Sequence, residues 1–198
     1  MTSYTPPTIT NIIADLPRKP DSPTYKTRPI SAITRIVVHY DAVPIPPPTK
    51  QDPTSTYNPI HRYIDQAKYH IARNWNDGPA GPIVKGFGLM YHYRVSADGQ
   101  IYQTQPENAI LWHARAANPI SLAICCDLGP NQTPSDAQLV ALFTLLNYLC
   151  YHRPDFPASR KDVYGHGELK QQGNRTNCPG DILSFVQSYR TNATNTAA

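Results

Sequence analysis

Proline sets the first limit on this chain. It occurs 21 times in 198 residues, about twice the average usage. Each proline fixes φ and removes a backbone donor, so it is excluded from helix interiors and central strands. Regular elements must therefore fit between the prolines, and the connections must be long and stiff. Pro6, Pro7, Pro17, Pro20, Pro23 and Pro29 mark residues 1–30 as an extended proline-rich N-terminal arm. Pro44, Pro46, Pro47, Pro48 and Pro53 fill a long loop from Asp41 to Asn58. Asp77 to Gly88 is a second Gly/Pro-rich loop. Loops of such length tend to be functional.

The segments between these clusters are patterned. Ile33 to Tyr40 is β-branched and apolar, which predicts a buried strand. Asn58-Pro59 opens a helix, followed at helical spacing by Ile60, Tyr63, Ile64, Ala67, Ile71 and Trp75. Leu89–Val95 and Gln100–Thr104 flank Asp98-Gly99 and predict a hairpin. Ile110–Ala114 and Ile120–Asp127 are two further strand candidates. Thr133-Pro134-Ser135 starts the longest helix, carried by Leu139, Leu142, Phe143, Leu146, Leu149 and Cys150. A short strand at Asp162–Gly165 and a helix at Ile182–Tyr189 complete the pattern. The expectation is one α/β domain, a central mixed sheet of five to six strands flanked by three helices. Residues 191–198 read as a polar tail.

Composition removes several classes. A net charge of +4 is too small and too scattered to argue for nucleic acid. No apolar stretch reaches the roughly 18 residues of a membrane span. The N-terminus lacks a basic start followed by an apolar core, so no classical signal peptide is expected. Four cysteines are too few for a disulfide scaffold. Cys125 and Cys126 are adjacent and would point to opposite faces of a strand. Whether Cys126 meets Cys150 is left open.

Three residues stand out for chemistry. His39 lies at the C-terminal end of the first long strand, where α/β sheets place ligands. His166 follows a short strand in VYGHGE, and Cys178 lies in TNCPGD. Imidazole and thiolate are zinc ligands, and three of them with an open fourth position describe a catalytic site. A surface histidine and a buried structural cysteine fit the same spacing.

RIVVHY, MYHYRVSADGQIYQ, WHARAAN, SLAICCDLG and VYGHGELKQQGNRTNCPGD occur in this order. Together they resemble the zinc-dependent N-acetylmuramoyl-L-alanine amidases, a family that includes phage endolysins and peptidoglycan recognition proteins. The resemblance runs from about Arg35 to Tyr189 and implies an amidase domain over residues 31–190. It implies one zinc ion held by His39, His166 and Cys178. Tyr40 stands where a second histidine often follows the first ligand. Cys178, rather than aspartate, places the chain with the phage and recognition-protein branch. Tyr91 matches the tyrosine that orients the water, and Thr176 matches a residue that stabilises the oxyanion. His113, Trp112 and Asn118 match the substrate cleft. His92 is expected in the core, and His61, His70 and His152 in packing or surface roles. Cys125 stands where a related branch carries a glutamate base, so the base role falls on the activated water with Tyr91.

The activity implied is hydrolysis of the amide between N-acetylmuramic acid and L-alanine by zinc-activated water. The partner is peptidoglycan or a muropeptide, and the chain is expected to act as a monomer on the bacterial cell wall. The missing signal peptide implies release by a phage or non-classical export. The alternative is a recognition module that binds peptidoglycan without cutting it. The two proline-rich loops are expected to wall the cleft, with Pro46 to Pro48 stiffening it.

Overall fold

The computed structural model describes residues 4–19, 25–45, 57–76, 83–170, 173 and 175–192, with the backbone alone at 74–76 and 83–85. Its strands are β1 (Ile9–Asn11), β2 (Arg35–Tyr40), β3 (Asn74–Asn76), β4 (Ile83–Lys85), β5 (Tyr93–Val95), β6 (Ile101–Gln103), β7 (Ser121–Cys126) and β8 (Val163–Gly165). The helices are α1 (Pro59–Ala72), α2 (Asp136–Tyr151) and α3 (Ile182–Thr191), joined by short 3₁₀ turns. Six strands form one sheet in the order β1-β6-β5-β7-β2-β8. The β5–β6 pair is antiparallel and the other neighbours are parallel, so the sheet is mixed. β3 and β4 form a separate antiparallel pair. The α/β class, the mixed sheet and the three helices agree with the sequence pattern.

Strand alternation divides the sheet into two unlike faces. Ile36, Val38, Leu122, Ile124, Cys126, Tyr93, Val95 and Val163 point to one face and join one large core with α2 and α3. Leu142, Leu145, Leu146 and Leu149 of α2 are fully buried there. Val37, with Ala114, Ala117 and Leu169, forms a small cluster on the other face. A third cluster lies under α1, where Tyr63 and Ala67 meet Ile12, Leu16 and Leu89. His39 falls on this second face, in register with Cys125.

The helix ends follow their sequence signals. Asn58 caps α1 by accepting from the His61 amide, with Pro59 at the first helical position. Ser135 caps α2 by accepting from the Gln138 amide. α1 stops at Ala72, and Trp75 belongs to β3 rather than to the helix.

Ile110–Ala114 is not a strand. Its neighbourhood pairs with the N-terminal arm instead. Arg28 donates to the Asn108 carbonyl at 2.8 Å, and Ile110 donates to Lys26 at 2.7 Å. The described residues of the arm lie along the domain. Tyr4 stacks on His152 behind the sheet, and β1 adds to the β6 edge. Ile12 and Leu16 then reach the opposite face. The four cysteines are unbridged, including Cys126 and Cys150. No helix among the described residues is long and apolar enough to cross a membrane. Pro46 to Pro48, residues 77–82 and the tail from 193 lie outside the described residues.

Candidate metal centre

The site starts from β2, which delivers His39 at its C-terminal end, almost fully buried. β8 runs parallel beside it and ends at Gly165, so His166 emerges at the same sheet end. The His39 and His166 ring centroids are 4.6 Å apart. Cys178 arrives on the following loop, with its Sγ 3.7 Å from His39 Nδ1. One donor atom from each of the three residues lies within 4.8 Å of the others.

Two local features bring the loop this close. The Gly167 amide donates to the Cys178 carbonyl at 2.6 Å. A side chain on Gly167 would collide with the Thr176 and Cys178 carbonyls, so only glycine permits the approach. The Tyr40 amide, directly after His39, donates to Cys178 Sγ at 3.4 Å. Tyr40 thus serves the third donor through its backbone.

The donor set fits a zinc ion. Ligands on a tetrahedral ion at normal bond lengths stand about 3.3–3.8 Å apart, and the 3.7 Å sulfur–nitrogen spacing falls there. Burial pushes the Cys178 thiol up to about 12, so a cation beside it is needed to hold the thiolate at neutral pH. Burial, then the neighbouring His166 and His113, push His39 well below the usual imidazole range. It is therefore neutral and able to ligate.

Around this group, the Tyr91 ring centroid lies 5.3 Å from that of His39. Burial and the nearby Cys125 and Cys178 thiols hold the phenol well above its ordinary pKa, so it is a protonated donor. Thr176 is exposed, and its hydroxyl oxygen accepts from the Cys178 amide at 3.1 Å. Its own hydrogen stays available to another acceptor. Trp112 is half-buried and packs 5.4 Å from Phe87.

His113 is buried, with Nδ1 2.9 Å from His39 Nε2 and Nε2 3.2 Å from Ser121 Oγ. Asn118 is buried too, and its Oδ1 accepts from the His113 and Ala114 amides at 3.1 and 2.6 Å. Of the other histidines, His92 is fully buried. Its Nδ1 accepts from the Ala123 amide, and its Nε2 meets the Ala109 carbonyl. His70 accepts from the Met90 amide within the α1 packing.

One group escaped sequence reasoning. Arg94 of β5 is fully buried on the site face, and its guanidinium bonds Asp127, Asp41 (2.5 Å), Gln66 and Cys125 Sγ (3.3 Å). It also lies over the Tyr63 and Tyr91 rings. Arg62 makes a two-pronged contact to Asp41 at 2.6 and 2.7 Å. Burial opposes ionisation of Asp41, but Arg94 and Arg62 outweigh it and hold the carboxyl below its usual range. Asp127 also accepts from Tyr57 and Tyr63. Glu168, two residues after His166, is tied to Arg190 at 2.7 Å and to the Gly165 amide at 2.7 Å. These three carboxylates near the site are thus committed to structure. The alternation in YRV gave Arg94 its face, but not its burial.

Comparison with known proteins bears on the family and the fold. The sequence profile of the N-acetylmuramoyl-L-alanine amidase family matches residues 27–181. The fold matches the endolysin amidase LysCS of Clostridium intestinale at 21% identity and TM-score 0.53, covering 93% of this chain and 95% of that one. Drosophila peptidoglycan recognition protein SD matches at 17% identity and TM-score 0.65, covering 92% and 94%. Peptidoglycan recognition protein LE, solved in complex with tracheal cytotoxin, matches at 20% identity and TM-score 0.63, covering 91% and 92%. No curated protein sequence matches the chain significantly. A profile spanning most of the chain, on the fold those structures share, shows that the protein belongs to the N-acetylmuramoyl-L-alanine amidase family.

Proposed function

We propose that the protein hydrolyses the amide bond between N-acetylmuramic acid and L-alanine in peptidoglycan, acting on the bacterial cell wall with one zinc ion. The convergence of His39, His166 and Cys178 beside Tyr91 carries this reading. Two imidazoles and a thiolate would hold the ion and leave a fourth position open. Bound there, zinc supplies Lewis acidity toward the scissile carbonyl and toward water.

The chain's own residues supply the rest. Tyr91 offers a protonated phenol that orients the attacking water by hydrogen bonding. Thr176 keeps a hydroxyl hydrogen to donate to the developing oxyanion, while its oxygen braces Cys178. Asp41, Asp127 and Glu168 are held by arginines, so none serves as a free general base. The proton lost by water passes to the leaving amine instead. Trp112, against Phe87, offers an aromatic wall to the substrate.

The likeness to peptidoglycan recognition proteins favours a second reading, binding without cleavage. Mass spectrometry of digested peptidoglycan separates the two. The amidase creates new free L-alanine N-termini without new reducing sugar ends, and Cys178→Ala removes both zinc and this product. A zinc-loaded wild type that binds cell walls but releases nothing would establish the binding module.

A further inference from the structure

We propose that His113 and Ser121 form a relay that fixes the tautomer of His39 and thereby aims its Nδ1 lone pair at the metal position. The proposal rests on the metal-site reading above. It makes His113 a positioning residue rather than a substrate contact.

The hydrogen positions follow from the end of the chain inward. Ser121 Oγ lies 2.7 Å from the Ala117 carbonyl oxygen. A carbonyl can only accept, so the serine hydrogen is directed there. The serine oxygen, 3.2 Å from His113 Nε2, then accepts a hydrogen that His113 carries on that atom. Neutral His113 therefore has its lone pair on Nδ1. His39 Nε2 is 2.9 Å away and must carry the hydrogen between them. That leaves the His39 Nδ1 lone pair facing the metal position, 3.7 Å from Cys178 Sγ. Reversing any one step puts two hydrogens or two lone pairs face to face.

Solvent has little access to scramble this order. His39, His113 and Ser121 are 2%, 8% and 0% exposed. The two hydrogen-bond contacts of the His113 ring are to an imidazole and a hydroxyl, with no carboxylate to favour the charged form. The serine end is anchored separately. Arg28 donates to the Asn118 carbonyl at 2.9 Å and to the Ser121 carbonyl at 2.6 Å. Both ring nitrogens of His113 are engaged inside the protein, so neither is left to bind substrate. A metal-ligating histidine ordinarily passes its second N–H to a carboxylate, a carbonyl or water. Here the acceptor is a neutral imidazole.

The test reads the tautomer and the metal separately. Long-range ¹H–¹⁵N correlation on metal-free protein should show His39 with its hydrogen on Nε2. His113→Ala should abolish that preference and weaken zinc about 10–100-fold in chelator competition. His113→Gln, which keeps an acceptor, should recover part of the affinity, and KM should stay near the wild-type value in both. Ser121→Ala removes one oxygen and should act in the same direction more weakly. It gives the same test if His113→Ala does not fold. Unchanged tautomer and zinc affinity with a raised KM would overturn the relay and restore His113 as a substrate contact. A wild type that binds no zinc would sink the metal-site reading, while the tautomer in metal-free protein would still decide the relay.

Discussion

The two faces of the central sheet are built from the same strands by opposite means. Behind it, Ile36, Val38, Leu122 and Ile124 meet leucines of α2 in an apolar layer. In front, Val37 and His39 alternate out of the same β2, Ser121 and Cys125 come from the adjacent β7, and Arg94 comes from β5 beyond it. The back face is held by area, the front by direction. Apolar contacts tolerate rearrangement, whereas a buried guanidinium between two carboxylates has one good arrangement. The face that carries the candidate metal centre is therefore framed by hydrogen bonds and ion pairs, with the back layer as its support.

Arg94→Met strikes the front face hardest. It would leave Asp41 and Asp127 buried without their shared cation and should cost about 3–5 kcal/mol in urea unfolding. A cost below about 1 kcal/mol would remove the distinction. Leu146→Ala on the back face should cost about 2–5 kcal/mol, with zinc affinity and KM of the folded protein unchanged. An altered zinc affinity would show that the faces are coupled.

Acid should act mainly through the front. Burial, with Arg28 adding to it, depresses buried His92 to about 3, although the Ala109 carbonyl opposes this. The unfolded chain has the ordinary imidazole pKa near 6.5, so it takes up protons first as pH falls. Stability from this group is complete above about pH 6.5 and lost below it. Metal-free protein at pH 5 should be weaker than at pH 8 by on the order of 2 kcal/mol from His92 alone. A flat profile from pH 8 to 5 would contradict the buried neutral histidine. The smallest effect expected is that of Glu168→Gln, about 1 kcal/mol, because its Arg190 partner is partly exposed. Equal stability of variant and wild type would show that this pair does not brace His166.

Legibility in the sequence follows the same division. β2, β7, α1 and α2 were readable because apolar spacing and caps at Asn58 and Ser135 specify them locally. The structure brings His39, His166 and Cys178 together, as the motifs implied. What escaped depends on distant partners. β1 is three residues among prolines and becomes a strand only because β6 offers an edge. Ile110 and Leu111 have a strand's pattern, but the arm takes their neighbourhood's backbone bonds. Neither the Arg94 cluster nor the His39–His113 contact leaves a local signature, since each joins residues far apart in the chain, and Ser121 meets His113 only because the short turn from Arg115 to Ile120 folds back.

The proline-flanked arm also bears on solubility. Among the described residues both borders of the six-stranded sheet, β1 and β8, are only three residues long. A strand that short, with Pro6, Pro7 and Pro17 nearby, is a poor template for another chain. β1 thus keeps the border short, and the apolar Ile9 and Ile12 beside it cover core surface on either side of the β6 edge. Removing residues 1–12 should bare that apolar surface and raise self-association, visible as a concentration-dependent rise in light scattering.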